Sequence, residues 1–206
     1  MPESEVAAMV RIIGITGGIA SGKSTVTEFL RQQGYQVIDA DQVVHELQEP
    51  GERLYQALLS TFGSSILQED GRLDRPKLGA MIFGNPELLA QSSQIQNQII
   101  REELAGRRDL LAGKEDIFFM DLPLLFELDY EAWFDQVWLV DVTEETQLSR
   151  LMTRNALSQE EAEKRIAAQL SLQEKRNRAD VLIDNNGPLE LTQEQLREAL
   201  QKLERR

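Results

Sequence analysis

Gly17-Gly18-Ile19-Ala20-Ser21-Gly22-Lys23-Ser24 is the stretch on which the reading of this chain turns, because it matches the spacing G-x-x-x-x-G-K-[ST] without a gap. Glycines at the fixed positions let the backbone curl so that successive N–H groups point inward, making a cradle for an anionic polyphosphate. Lys23 adds a mobile positive charge near the β- and γ-phosphates, and the Ser24 hydroxyl is placed to ligate Mg²⁺. Working outward, Arg11-Ile12-Ile13-Gly14-Ile15-Thr16 reads as a buried strand, and Ser24 to Leu30 is apolar at helical spacing. A bound phosphate would then rest at a helix N-terminus, where unpaired N–H groups and the helix dipole favour negative charge. Ala20 stands where many such loops carry a further glycine, and alanine tolerates a positive φ poorly.

Composition narrows what such a loop could serve. The chain has 206 residues, 41% of them hydrophobic, enough for one substantial core with room for an inserted subdomain. With 22 Lys+Arg against 35 Asp+Glu the net charge is −13, which argues against a general nucleic-acid or anionic-membrane surface. Any anionic ligand must be met by local positive charge. Cysteine is absent, which excludes disulfides and thiolate metal sites, and the single histidine, His45, excludes His-pair metal sites. No apolar run approaches the roughly 20 residues of a membrane span, so a cytoplasmic enzyme is the expectation. Met1 to Ala8 reads as a loose leader or a start-site artefact.

Along the chain, Gly34 stops the first helix, and Tyr35-Gln36-Val37-Ile38-Asp39 reads as a second strand, giving a βαβ opening. Asp39-Ala40-Asp41 then falls at the carboxyl end of that strand, the edge where open α/β sheets bind ligands. Asp41 carries two readings: a carboxylate holding a substrate hydroxyl or hydrated Mg²⁺, or the N-cap of a helix over Gln42-Val43-Val44-His45-Glu46-Leu47. From Pro50 to about Leu111 the strand signal vanishes, and a helical insertion is predicted. It contains a helix start at Asp74 and Pro76 and a long polar helix opened by Asn85-Pro86.

Ile117-Phe118-Phe119-Met120-Asp121 reads as a central parallel strand ending in a carboxylate. The apolar Leu122-Pro123-Leu124-Leu125-Phe126-Glu127 that follows either packs down as core, the reading the residues favour, or walls a pocket. Gln136 to Val142 is a fourth strand, and Thr143 caps a helix on which Gln147, Arg150 and Arg154 share a face. Ser158-Gln159-Glu160-Glu161 is a capping box predicted to open one helix through about Arg178. Between Arg150 and Arg178 seven basic residues meet four acidic ones, a local +3 in an acidic chain. Lys164, Lys175 and Arg176 read as solvated helix surface, whereas Arg154 reads as a phosphate partner. Ala179 to Asp184 is a fifth strand, Asn185-Asn186-Gly187 a turn, and Thr192 to Leu203 a terminal amphipathic helix.

Taken together, the glycine loop, Asp39-Ala40-Asp41, Pro123-Leu124-Leu125-Phe126-Glu127, the Gln147-x-x-Arg150-x-x-x-Arg154 helix and Ile183-Asp184-Asn185 resemble the dephospho-coenzyme A kinases, over Val10 to Gly187. The resemblance implies a P-loop kinase-like α/β fold: a five-stranded parallel sheet with flanking helices, a helical insertion and a helical lid. The nucleotide-binding core would cover 10–49 and 112–206, with a lid at about 150–170. The acceptor-binding insertion would cover 50–111 and move relative to the core. The implied reaction is transfer of the ATP γ-phosphate to the ribose 3′-hydroxyl of dephospho-coenzyme A, with Mg²⁺.

By the same resemblance Gly17, Gly18, Ile19, Ala20, Ser21, Gly22, Lys23, Ser24 and Thr25 cradle the nucleotide, joined by Arg150 and by Asn185 near the adenine. Asp41, Lys23 and Arg154 become catalytic, Ser24 the metal ligand, and Asp41, His45, Leu124, Leu125, Glu127 and Gln169 acceptor-binding. One departure stands out. Where the family often has His-Pro in the long insertion helix, this chain has Asn97-Gln98, which predicts a straighter helix. The residues by themselves also admit another P-loop kinase acting on a nucleoside, nucleotide or shikimate-like acceptor, or a nucleotide-dependent switch.

Overall fold

Ile12, Ile13 and Ile15 are β-branched residues, which favour extended backbone, and Arg11–Gly17 forms strand β1 with its last five residues buried. The computed structural model describes residues 10–205; the leader expected over Met1 to Ala8 lies outside the described residues. After β1 the glycine loop feeds α1 (Lys23–Gln32), followed by β2 (Gln36–Asp39) and α2 (Ala40–Leu47). A helical stretch follows: α3 (Arg53–Phe62), α4 (Arg75–Phe83) and α5 (Pro86–Ala112). The chain then returns through β3 (Ile117–Asp121), β4 (Gln136–Asp141), α6 (Glu144–Asn155), α7 (Gln159–Ala167), α8 (Leu172–Arg178), β5 (Val181–Asp184) and α9 (Leu189–Glu204).

The five strands lie in the order β2-β3-β1-β4-β5, with β1 parallel to β3 on one side and to β4 on the other. Ile13 is in register with Phe119 of β3 and Gln136 of β4. The strand order reverses at β1, so the glycine loop leaves the sheet at its topological switch point, at the carboxyl edge where a crevice opens. One face of the sheet packs Ile13, Ile15, Phe119, Trp138, Val140 and Ile183 against Val26, Phe29 and Leu30 of α1 and Leu196, Leu200 and Leu203 of α9. Phe119 and Trp138 meet edge-on with ring centroids 5.4 Å apart. Each such side chain taken fully from water contributes roughly 1.5–3 kcal/mol.

On the opposite face Leu125 settles over Gly14: a Cβ added there would come 2.7 Å from Leu125 Cδ1 and 2.8 Å from the Phe134 ring. That close approach explains why a glycine interrupts the isoleucines of β1. It also places Leu122, Leu125 and Phe126 in the core, all at most 2% exposed, while Leu124 stays 39% exposed.

The chain divides into two compact units, the residues up to 38 with those from 112 onward, and 39–111. In the helical unit Leu54, Leu58, Ile66 and Leu104 are buried. Arg107 of α5 ties back to Glu46 of α2 at 2.7 Å and to Glu103 at 2.8 Å. Asp74 caps α4 by accepting from the Lys77 N–H at 3.0 Å, and Pro76 occupies the first turn, where its missing N–H costs nothing. Asn85 accepts from the Glu87 and Leu88 N–H groups at 3.0 and 3.2 Å and so opens α5. That helix continues through Asn97-Gln98 to Ala112 without a break.

Three local expectations are corrected. The N-cap of α2 is Asp39, not Asp41: Asp39 Oδ1 accepts the Gln42 N–H at 3.1 Å, and Asp41 lies inside the first turn. The helix expected from Ser158 to Arg178 is two helices. A second capping box, in which Ser171 accepts from the Glu174 N–H and Glu174 reaches back to the Ser171 N–H, starts α8 afresh after a four-residue link. The hydrogen bond from the Ser171 hydroxyl holds the Glu174 carboxyl below its ordinary range. This contribution is present above the unfolded pKa and is lost as pH falls through the lowered folded value. Lastly, Lys175 and Arg176 are not solvated surface: Lys175 is fully buried, and Arg176 is tied to the end of β4.

Candidate active site

Between β1 and α1 the loop can adopt its shape only with unusual backbone angles. Gly22 sits at φ +85°, and a Cβ there would lie 2.2 Å from Asn185 Nδ2, so both the angle and the space require glycine. Ala20 also sits in the left-handed region, at φ 62°, which costs an alanine roughly 1–2 kcal/mol and must be offset by the contacts around the loop. Those contacts are specific. Ile19 is gripped from both sides: its N–H donates to Gln169 Oε1 at 2.9 Å, and its carbonyl accepts from Gln147 Nε2 at 3.0 Å. Gln147 is itself buried on α6. Asn185 Nδ2 donates to the Ser21 carbonyl at 2.8 Å, and Asn185 Oδ1 accepts from the Thr192 hydroxyl at 3.0 Å.

Lys23 is the first residue of α1, and its Nζ pairs with Asp121, the last residue of β3. The carboxylate of Asp121 is 4% exposed and the lysine side chain 17%. A lysine held against a buried carboxylate at the sheet edge is parked beside the loop, and can exchange that partner for phosphate oxygens. Ser24 follows, exposed in the first turn, where backbone N–H groups have no intrahelical acceptor. Beside these residues opens a cavity of about 620 Å³, walled by Gly22, Ser24, Thr25, Arg150, Arg154 and Asn185. Arg150 donates from Nη2 to the Asn185 carbonyl at 2.9 Å, and the exposed Arg154 donates from Nε to Asn155 Oδ1 at 2.9 Å. The loop, the Ser24 and Thr25 hydroxyls and two guanidinium groups thus converge on one space large enough for a nucleotide's phosphates. The donor set fits a polyphosphate with Mg²⁺ held at the Ser24 hydroxyl.

The other residues singled out from the sequence divide. Asp41 and His45 both belong to α2, in the helical unit, where Arg75 places its two terminal nitrogens 2.8 and 3.1 Å from the ring nitrogens of His45. Leu124 presents an exposed side chain, but Leu125 is wholly buried over Gly14 and offers no ligand surface. Gln169 spends its amide oxygen on Ile19. Glu127 Oε1 lies 2.8 Å from Lys175 Nζ and accepts the Leu170 N–H at 3.1 Å. Gln169 therefore holds the phosphate loop directly, and Glu127 holds the Leu170 N–H beside it, both within the unit that carries the loop. Asn185 is a buttress of that loop as well as part of the cavity wall. Arg176 Nε donates to Asp141 at 2.8 Å and Nη2 to the Val142 carbonyl at 2.9 Å, fixing the strand end from which α6 departs. Asp121 had one sequence signal, a carboxylate closing an apolar strand at the ligand edge. Lys175 had none, because a lysine in an amphipathic helix reads as solvent-facing.

The profile of the dephospho-CoA kinases matches residues 11–190. A dephospho-CoA kinase of Streptococcus mutans is 59% identical over 196 residues, covering 95% of this chain and 99% of that protein. Among solved structures, a Thermus thermophilus protein superposes with a TM-score of 0.79 at 35% identity over 94% of this chain and 98% of its own. The dephospho-CoA kinase of Campylobacter jejuni does so with a TM-score of 0.73 at 27% identity over 93% and 96%. With its glycine loop, Lys23–Asp121 pair and arginine-lined cavity all inside the matched span, this chain belongs to the dephospho-CoA kinase family.

Proposed function

We infer that the chain transfers the γ-phosphoryl group of ATP to the ribose 3′-hydroxyl of dephospho-coenzyme A, giving coenzyme A, the last step of coenzyme A biosynthesis. The observation that carries this reading is a complete phosphate loop opening on an arginine-lined cavity in a chain of this family. Phosphoryl transfer passes through a loose transition state, so the protein's contribution is positioning and charge stabilisation. Lys23, released from Asp121, neutralises charge on the β- and γ-phosphates. Arg154, exposed at the cavity and held only by its neighbour Asn155 among the hydrogen bonds described for its side chain, turns to the transferring group. The Ser24 hydroxyl would hold Mg²⁺, which would supply Lewis-acid stabilisation of the polyphosphate. Asp41 orients the acceptor hydroxyl and takes its proton late in the transfer, with His45 and Leu124 as further acceptor contacts. Among the described residues no helix is long and apolar enough to cross a membrane, and we place the reaction in the cytoplasm.

Mass analysis after incubation with ATP, Mg²⁺ and dephospho-coenzyme A tests the reaction: the expected product is heavier by one phosphoryl group, at the 3′ position. Phosphorylation of a nucleoside or shikimate in preference, or nucleotide hydrolysis without a phosphorylated acceptor, would overturn it.

The two aspartates of the Asp39-Ala40-Asp41 segment are expected to separate. Asp39→Ala removes the α2 cap and should cost about 0.5–2 kcal/mol of stability. Asp41→Asn, which caps nothing, should leave the unfolding midpoint within a degree or so and lower turnover by about 10²-fold or more, the range of a positioned general base. Thermal unfolding beside steady-state kinetics on both variants checks this. Near-normal turnover in Asp41→Asn would move the base elsewhere.

A further inference from the structure

Lys175 has no role in the scheme above, yet it is a fully buried cation. Its Nζ lies 2.8 Å from Glu127 Oε1, a close ion contact rather than an aligned hydrogen bond. The same oxygen of Glu127 accepts the Leu170 N–H at 3.1 Å, while Oε2 is buried with no hydrogen-bond partner among the described residues. Leu170 sits in the link between α7 and α8, immediately after Gln169, whose side chain holds the Ile19 N–H of the phosphate loop at 2.9 Å. Five residues from three separate stretches of the chain thus form one line of contacts, from a lysine of α8, through the turn after β3 and the α7–α8 link, to the phosphate loop.

Stability alone is a poor account of this arrangement. Replacing a buried ion pair by apolar side chains of similar volume is often neutral or stabilising, because the desolvation of two charges offsets their attraction. A charged pair can do what apolar groups cannot: it fixes an acceptor oxygen at one point. The α7–α8 link needs such a point, since it lies outside both helices and its Leu170 N–H is held by Glu127. With that anchor gone, Gln169 would regain rotamer freedom, and its single hydrogen bond to Ile19 would have to offset a larger ordering entropy. The neighbouring residue of the loop, Ala20, is already held in a left-handed conformation that alanine resists.

We propose that Lys175 and Glu127 are positioning residues for the phosphate loop: their buried pair anchors the α7–α8 link so that Gln169 holds the Ile19 peptide in its nucleotide-binding geometry. The proposal rests on the loop binding the nucleotide, and it assigns Glu127 to the nucleotide side of the reaction rather than to the acceptor.

The test uses the full chain and the variants Gln169→Ala, Glu127→Gln and Lys175→Met, together with the doubles Glu127→Gln/Gln169→Ala and Glu127→Leu/Lys175→Met. Each is measured by calorimetric titration with ADP, by KM for ATP and for the acceptor, and by thermal unfolding. Absence of ADP binding by the unaltered chain would defeat the nucleotide reading itself, separately from this proposal. Given binding, Gln169→Ala should weaken ADP by about 5- to 10-fold, the loss expected for one hydrogen bond. Glu127→Gln should weaken ADP by a similar factor while the acceptor KM stays within about twofold. The double Glu127→Gln/Gln169→Ala should be no weaker than the worse single variant, because both act through one contact.

Lys175→Met removes the cation held against Glu127 and is expected to lower the unfolding midpoint. Glu127→Leu/Lys175→Met removes that difficulty and should recover the midpoint while still binding ADP several-fold more weakly. A merely structural pair predicts the opposite, full affinity once folding is restored, and that result would overturn the proposal. So would independent, multiplying effects of Glu127→Gln and Gln169→Ala, or a raised acceptor KM with ADP affinity unchanged.

Discussion

Replacing Lys23 by alanine is expected to remove nearly all turnover, by about 10³-fold or more, the scale on which preorganised charge at a transition state acts. The lysine opens α1 and faces a carboxylate that is itself almost completely buried. In the absence of nucleotide this pairing keeps the ammonium close to the loop. When phosphate arrives, the same ammonium has a second anion within reach of a short rotation. The alanine variant loses the mobile charge but keeps the backbone cradle, whose shape is held by Gln147, Gln169 and Asn185. Nucleotide should therefore still bind, more weakly, while the chemical step fails. Asp121 loses the cation facing it, so the unfolding midpoint should fall as well, and Lys23→Ala/Asp121→Asn should recover part of that loss without recovering turnover. Stopped-time assays beside thermal unfolding separate the two effects. Turnover within about tenfold of the parent, only about 1.4 kcal/mol of barrier, would take Lys23 out of the reaction.

Arg154→Ala carries the second large effect. An arginine that meets the transferring phosphoryl group is worth about 10³-fold or more in rate. Because the contact strengthens as charge develops, kcat should fall by that factor while nucleotide affinity changes by no more than about threefold. The position of Arg154 supports this split: it is exposed at the wall of the cavity and held by Asn155, one residue along its own helix end, so it is free to re-aim at little cost. Arg150, anchored to the Asn185 carbonyl, is a fixed part of the wall, and Arg150→Ala should weaken nucleotide binding and turnover together. Arg176 is no neutral control, since it clamps the end of β4 through Asp141 and Val142. Lys202, exposed on α9, is the better one, and Lys202→Ala should leave kcat within about twofold. Equal effects of Arg154→Ala on kcat and on nucleotide affinity would mean that Arg154 binds substrate and transition state alike.

Local chemistry by itself determined a large share of this protein. The alternation of apolar strand, glycine loop and amphipathic helix, repeated with short polar breaks, is enough to specify a parallel sheet. In such a sheet the backbone preferences of isoleucine and valine, and the caps at Asp74, Asn85, Thr143 and Ser158, act within a few residues of themselves. The phosphate loop is equally local, because its chemistry lies in main-chain N–H groups and one adjacent lysine. The break between α7 and α8 was also written locally, in Ser171 and Glu174, but it lies inside a run whose helical spacing continues on both sides.

Only the tertiary structure decided which charges are buried and what each one holds. Lys23 and Asp121 are 98 positions apart, and Ile19 and Gln169 are 150 apart. Partners so distant meet because the sheet order brings β3 and β4 to either side of β1, and no spacing along the chain records that. The same reason separates Lys175 from Lys164. Both are lysines on short amphipathic helices, yet the link between α7 and α8 turns one under the structure onto Glu127, while the other stays in water beside Glu160. A sequence states which residues carry charge; the low dielectric of a packed interior decides which of those charges must find a partner, and therefore which of them can position a site.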